Sequence, residues 1–196
     1  NVGGDITTKR GNIFNNLVDY IKKEIRVSHL DMDDIFAIGL LTDLDASFAN
    51  EKDYIEDSNT NKVSYDLLNH KVIRHDVLEL YDTRIIKKNN IVKLFNCNSI
   101  IVNKRMIPFR CFYNSINLEH AFYNELTNSP DEKDDYAYEF ANEYYDNDSF
   151  INFISKLNRL GNNYRESVDE ETLSKEAFTS SSNLYYLLLW LKEIIK

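Results

Sequence analysis

The sequence predicts an α/β fold, a mostly parallel sheet flanked by helices and followed by a helical C-terminal extension. Three observations lead there. Val2-Gly3-Gly4-Asp5 reads as a strand tail entering a tight turn, and an amphipathic helix and an apolar strand follow, the strand–helix–strand order of a parallel sheet. The run Ile35 to Leu41 is uncharged and mostly apolar, as in a strand buried on both faces. Only 5 Gly and 2 Pro in 196 residues argue against a turn-rich all-β protein.

Between those strands, Ile13, Phe14, Leu17, Val18, Ile21 and Ile25 form one stripe on a helix from Asn12 to Arg26. Residues 49–62 are polar and acidic and read as a loop. Residues 67–72 are ambiguous, 76–81 read as a short strand or turn, and Thr83 to Phe95 as a helix. Ser99 to Val102 and Ile107 to Tyr113 read as strands, and Asn117 is a good N-cap for a helix from Leu118 to about Leu126. Beyond that the chain is helical. A helix starts at Ser129-Pro130, another runs from Phe150 to Leu160 behind a cap at Asp148 or Ser149, and Gly161 ends it. Asn162 to Glu171 reads as a linker, and an apolar terminal helix, Leu184 to Ile195, needs something to pack against. The division is 1–126 for the α/β domain and 127–196 for the helical extension.

The net charge of −9 excludes a surface that coats nucleic acid generally. Its distribution is uneven. Arg84 to Arg110 carries seven basic residues and no acid, whereas Glu119 to Asp148 carries ten acids against Lys133. The basic segment either meets phosphates or is a solvated helix face that pairs with the acidic part. No apolar run reaches membrane-spanning length and no signal peptide is present, so no membrane association is expected. Cys97 and Cys111 form no CxxC pair, which argues against structural zinc and for a reducing cytoplasm. The start at Asn1 rather than Met reads as a fragment or a processed product.

The strand Ile35–Leu41 runs into Thr42-Asp43-Leu44-Asp45. On an extended chain the two carboxylates point the same way, and ligands bind outside the carboxyl ends of strands in open α/β sheets. Two acids there either hold a hard cation such as Mg²⁺ or form a solvated turn. If the aromatic strand before Asn117 is parallel to the first, Glu119 emerges at the same edge and adds a third carboxylate, able to help activate a water; otherwise it sits in a helix first turn. His120 could shuttle protons. Asp5 and Lys9 give a weak anion signal near a helix start, and Asp31-Met32-Asp33-Asp34 reads as a solvated loop.

This order of elements, with Thr42-Asp43-Leu44-Asp45 after an apolar strand and Asn117-Leu118-Glu119 after an aromatic one, resembles the TOPRIM-like domains of OLD-type nucleases and related small bacterial defence proteins such as the RloB group. The resemblance covers about residues 1–125. It implies a Mg²⁺- or Mn²⁺-dependent nuclease in which Asp43 and Asp45 match the metal-binding DxD and Glu119 the later acid. The family's glutamate-bearing first strand would fall upstream of Val2. Lys87, Lys88, Lys104, Arg105 and Arg110 would then hold the phosphate backbone of the nucleic acid. The alternative is a non-enzymatic module whose C-terminal helices, with Tyr185, Tyr186, Leu188, Leu189, Trp190 and Ile194, bind a partner ATPase or a second copy, or a viral helical immune modulator.

Overall fold

The structure, a computed structural model, describes residues 5–60, 62–127 and 129–195. The expected strand tail Val2-Gly3-Gly4 lies outside them. The fold is α/β, with two three-stranded sheets among the described residues. One sheet has β1 (Ile38–Asp43), β6 (Arg105–Asn114) and β5 (Ser99–Val102) in the order β1-β6-β5. β1 runs parallel to β6, with Asp43 beside Asn114, and β5 runs antiparallel to β6. Asn103 and Lys104, both with positive φ, make the tight β5–β6 turn.

The expectation for β1 changes here. It is an edge strand, not a doubly buried one, and Gly39 and Leu41 are exposed, alternating with half-buried Ile38 and Leu40. The inner strand is β6, whose Phe109, Cys111, Phe112 and Tyr113 are at most 1% exposed. The second sheet was not expected. β2 (Tyr54–Glu56), β4 (Lys71–Arg74) and β3 (Ser64–Asp66) pair in the order β2-β4-β3, inside the segment read as loop and ambiguous chain. Its strands are three or four residues long, too short to show a period.

Helix α1 (Ile13–Val27) forms as its stripe predicts, with Asn12 accepting from the N–H groups of Phe14 and Asn15. α2 (Val77–Phe95) is one helix of 19 residues capped by Asp76, not a strand or turn followed by a shorter helix. It is buried around much of its circumference: Leu80, Ile91, Leu94 and Phe95 pack in the core, and so do Arg84, Lys87 and Asn90. Alternating β1 and β6 residues (Ile38, Leu40, Phe109, Cys111, Tyr113) share one core with α1 and α2, α2 lying against β6 and α1 against β5.

The other face of β6 meets the C-terminal part. After α3 (Leu118–Tyr123), α4 (Pro130–Glu143) and α5 (Asn147–Lys156) come α6 (Tyr164–Ser167), α7 (Glu170–Lys175) and α8 (Leu184–Ile194). α5 is capped by Asp146 and ends five residues before Gly161, and α6 and the first two residues of α7 lie in the segment read as linker. Gly161 has φ +70°, and a Cβ there would meet Glu166 Cβ at 2.5 Å. Trp190 and Tyr186 of α8 pack on Phe112.

Polar contacts fasten this part to β6 where β5 has ended. The Tyr164 hydroxyl donates to the Cys111 carbonyl at 2.8 Å. Asn183 Oδ1 accepts from the Tyr113 N–H at 2.7 Å, and its own N–H donates to the Tyr113 carbonyl. Ser182 bridges Asn114 in antiparallel register. Residues 181–183 thus replace the missing stretch of neighbouring strand. Asn183→Ala orphans the buried Tyr113 N–H and is expected to lower stability by about 1–3 kcal/mol at unchanged m-value in urea unfolding.

Candidate functional site

β1 ends at Asp43, and the chain turns sharply. Asp45 and Ala46 have φ of +50° and +54°, a left-handed pair that costs roughly 1–2 kcal/mol per residue without a glycine. The turn is held from outside. The Leu44 N–H donates to the carbonyls of Asn114 and Ser115, the Asp45 N–H to that of Ile116, and the Tyr54 hydroxyl to that of Ala46. Below it, Lys87 and Arg84 on α2 grip the Asp45 carboxylate, Arg84 at 3.1 Å.

The two aspartates therefore do not act as a matched pair on an extended strand. Asp45 turns inward to an ammonium only 1% exposed. The same ammonium holds Asp5, whose carboxyl is held below its ordinary range because Lys87 and Thr7 outweigh the cost of burial. Arg84 also donates to the Tyr65 hydroxyl at 3.1 Å, and burial pushes that phenol up to about 12.

Asp43 takes the opposite course. Burial raises its carboxyl to about 6; the hydrogen bond from Asn114 Nδ2 at 3.2 Å and the charge of Lys87 oppose the rise, and the charges of Asp45 and Glu119 add to it. β6 runs parallel to β1, so Asn117, capping α3 through the His120 N–H, delivers Glu119 to the same edge. Glu119 is 7% exposed and its Oε2 has no hydrogen-bond partner. His120 is fully buried, with Nδ1 2.8 Å from Ser115 Oγ. Burial lowers it to about 4, which keeps it neutral and out of reach of a solvent-borne ligand.

Among the described residues, no three His, Cys, Asp or Glu side chains gather to ligate one ion. Asp45 is engaged elsewhere, which leaves Asp43 and Glu119 as the acids of one site. Two carboxylates suffice for a Mg²⁺ that keeps waters and takes its remaining ligands from phosphate, and the orphaned Glu119 oxygen fits that donor set.

The basic residues disperse. Lys87 is buried inside the site. Lys88 lies 3.7 Å from Glu170 and over the Phe48 ring. Lys104, in the β5–β6 turn, and Arg105, the first residue of β6, stand ten and nine residues from Asn114, roughly 30 Å from the acids at strand spacing. Arg105 pairs with Asp33 at 3.5 Å, and Arg110 packs between aromatic rings. The sequence reading missed Asn114, Arg84 and Tyr65; Asn114, at the end of the aromatic strand, carried the one readable signal. No helix is long and apolar enough to cross a membrane among the described residues. No protein-family model, curated protein or solved structure matches the chain.

An acid raised in the fold stabilises the protein fully below its unfolded pKa and loses that contribution as pH rises through the folded value. Asp43, ordinarily near 3.8 and raised to about 6, thus carries a penalty that grows between pH 4 and pH 6, on the order of 3 kcal/mol at most. Asp43→Asn keeps the bond from Asn114. Urea unfolding is expected to show the variant equal to wild type near pH 4 and more stable above pH 6.

Proposed function

We propose that the edge formed by Asp43, Asn114 and Glu119 is the centre of a Mg²⁺- or Mn²⁺-dependent phosphodiesterase acting on nucleic acid, in a bacterial or phage-related defence system, as the TOPRIM-like resemblance implies. The observation that carries this reading is the pair of acids, Glu119 buried and Asp43 half-buried, at the carboxyl edge of parallel strands. Asp43 is held near 6, and Glu119 has an oxygen without a partner. The desolvation of Asp43 and the like charges around it outweigh the opposing charge of Lys87, so such a pair favours a cation.

Bound there, the ion would polarise a phosphoryl oxygen and acidify a water. Asp43 is a ligand only when deprotonated, and Asn114 fixes its orientation. Glu119 Oε2 is an acceptor able to hold a water. Lys87 and Arg84 keep Asp45 out of the ligand set and lock the left-handed turn that aims Asp43. The phosphate backbone would reach this edge without Lys104 or Arg105, which lie at the far end of β6.

Mn²⁺ calorimetry at pH 5 and pH 7.5 tests the site independently of activity. Saturable binding is expected to strengthen about tenfold or more across that range, because protons compete for Asp43. It is expected to vanish in Asp43→Asn/Glu119→Gln, with cleavage of single- or double-stranded substrates lost in parallel. Unchanged binding in the double variant would reject the site.

A second reading, a docking module, is favoured by one surface. Ile151 of α5 and Leu188, Leu191 and Ile195 on and after α8 line an apolar depression of about 460 Å³, and Ile151 and Ile195 are 42% and 68% exposed. If it docks a second copy, sedimentation is expected to give a dimer that Leu191→Glu dissociates. A monomer at all micromolar concentrations rejects self-association.

A further inference from the structure

On the α8 face of β6, away from the acid edge, a cavity of about 790 Å³ opens between the end of α2, β6 and the α6 turn. Its polar focus is Arg110. The guanidinium carbon lies 4.7 Å from the Tyr164 ring centroid and 5.4 Å from that of Trp190. Among the described residues Arg110 forms no ion pair, and the arginine hydrogen bonds belong to Arg84, Arg105 and Arg159. A guanidinium stacked on an aromatic ring is fixed in plane while its N–H fork stays unspent, the arrangement that takes a phosphate at low ordering cost.

The rest of the lining fits the body of such a ligand. Arg165 adds a second cation, without a carboxylate partner among the described residues. Three acids line the cavity: Glu170 pairs with Lys88, Asp169 caps α7 through Thr172, and Glu193 of α8 forms no ion pair among the described residues. Tyr164 supplies half-buried aromatic surface, with Phe95 and Tyr186 nearly buried behind the lining, and the exposed Asn98 lines the cavity as well. The volume far exceeds a bare phosphate and is in the range of cofactor-sized sites. We infer that this cavity binds a mononucleotide, its phosphate on Arg110 and its base against the aromatic and amide lining. The inference does not rest on the acid edge and needs no divalent ion.

Trp190 is the only tryptophan in the chain and sits beside Arg110, so its emission reads the site directly. In phosphate-free buffer with chelator, AMP is expected to give a saturable change with a midpoint on the order of 0.1–1 mM. Arg110→Lys keeps the charge but loses the fork and is expected to weaken AMP about tenfold. Asn98→Asp leaves the stacked arginine intact, adds a repelling carboxylate, and is expected to weaken AMP as well. Three results overturn the inference: no saturation by about 10 mM AMP; unaltered AMP binding in both variants; or adenosine or inorganic phosphate alone binding as well as AMP.

Discussion

The ammonium of Lys87 is the constraint on which the rest of the molecule depends. It is 1% exposed, and it joins Asp5, before the first turn of the described chain, to Asp45, after β1. One turn along α2, Asn90 donates to the carbonyls of Thr7 and Lys9. α2 thus fastens the N-terminal segment and the β1 turn to a single rod. A buried charge left alone costs several kcal/mol, so the two carboxylates and the lysine hold one another in place. The effect of this cluster is on geometry: it ties the β1 turn and the N-terminal segment to the same point of α2.

That geometry decides which acid is available. Asp45 is neutralised from below by Lys87 and Arg84. Asp43, two residues earlier, takes a hydrogen bond from the Asn114 amide and feels the Lys87 charge without an ion pair among the described residues. The left-handed conformations at Asp45 and Ala46 are the cost of separating the two. Strain of this kind persists only where surrounding contacts over-determine it, and here the carbonyls of Asn114, Ser115 and Ile116 and the two basic side chains do so. The penalty on Asp43 above pH 6 and the unmatched Glu119 oxygen concentrate instability at one edge, as expected where a ligand completes the structure.

β6 links this edge to the remainder. Its first half, from Arg105 to Pro108, pairs with β5, and its second half, from Phe109 to Asn114, pairs with β1. Beyond Pro108 the β5 side is taken over by the Tyr164 hydroxyl, the Asn183 amide and the bridge at Ser182. The C-terminal helices are therefore fastened to the sheet through hydrogen bonds that β6 would otherwise leave unmade. The same α6 turn places Tyr164 over Arg110 and walls the cavity on that side.

Local chemistry written in the sequence determined much of this. The stripe and cap of α1, the strands β5 and β6, the N-cap at Asn117 and the apolar α8 follow from periodicity and capping residues a few positions apart. So did the placement of Asp43 at a strand end. The tertiary structure alone decided that β1 is an edge strand, that residues 54–74 hold a second sheet, and that α2 buries Arg84 and Lys87 instead of displaying them. It also diverted Asp45 from Asp43 and sent Lys104 and Arg105 to the opposite end of β6. The physical reason is the same in each case. Lys87 meets partners 42 and 82 residues away, and no period of two or 3.6 residues records which distant charge a lysine will find or which neighbour a short strand will pair with.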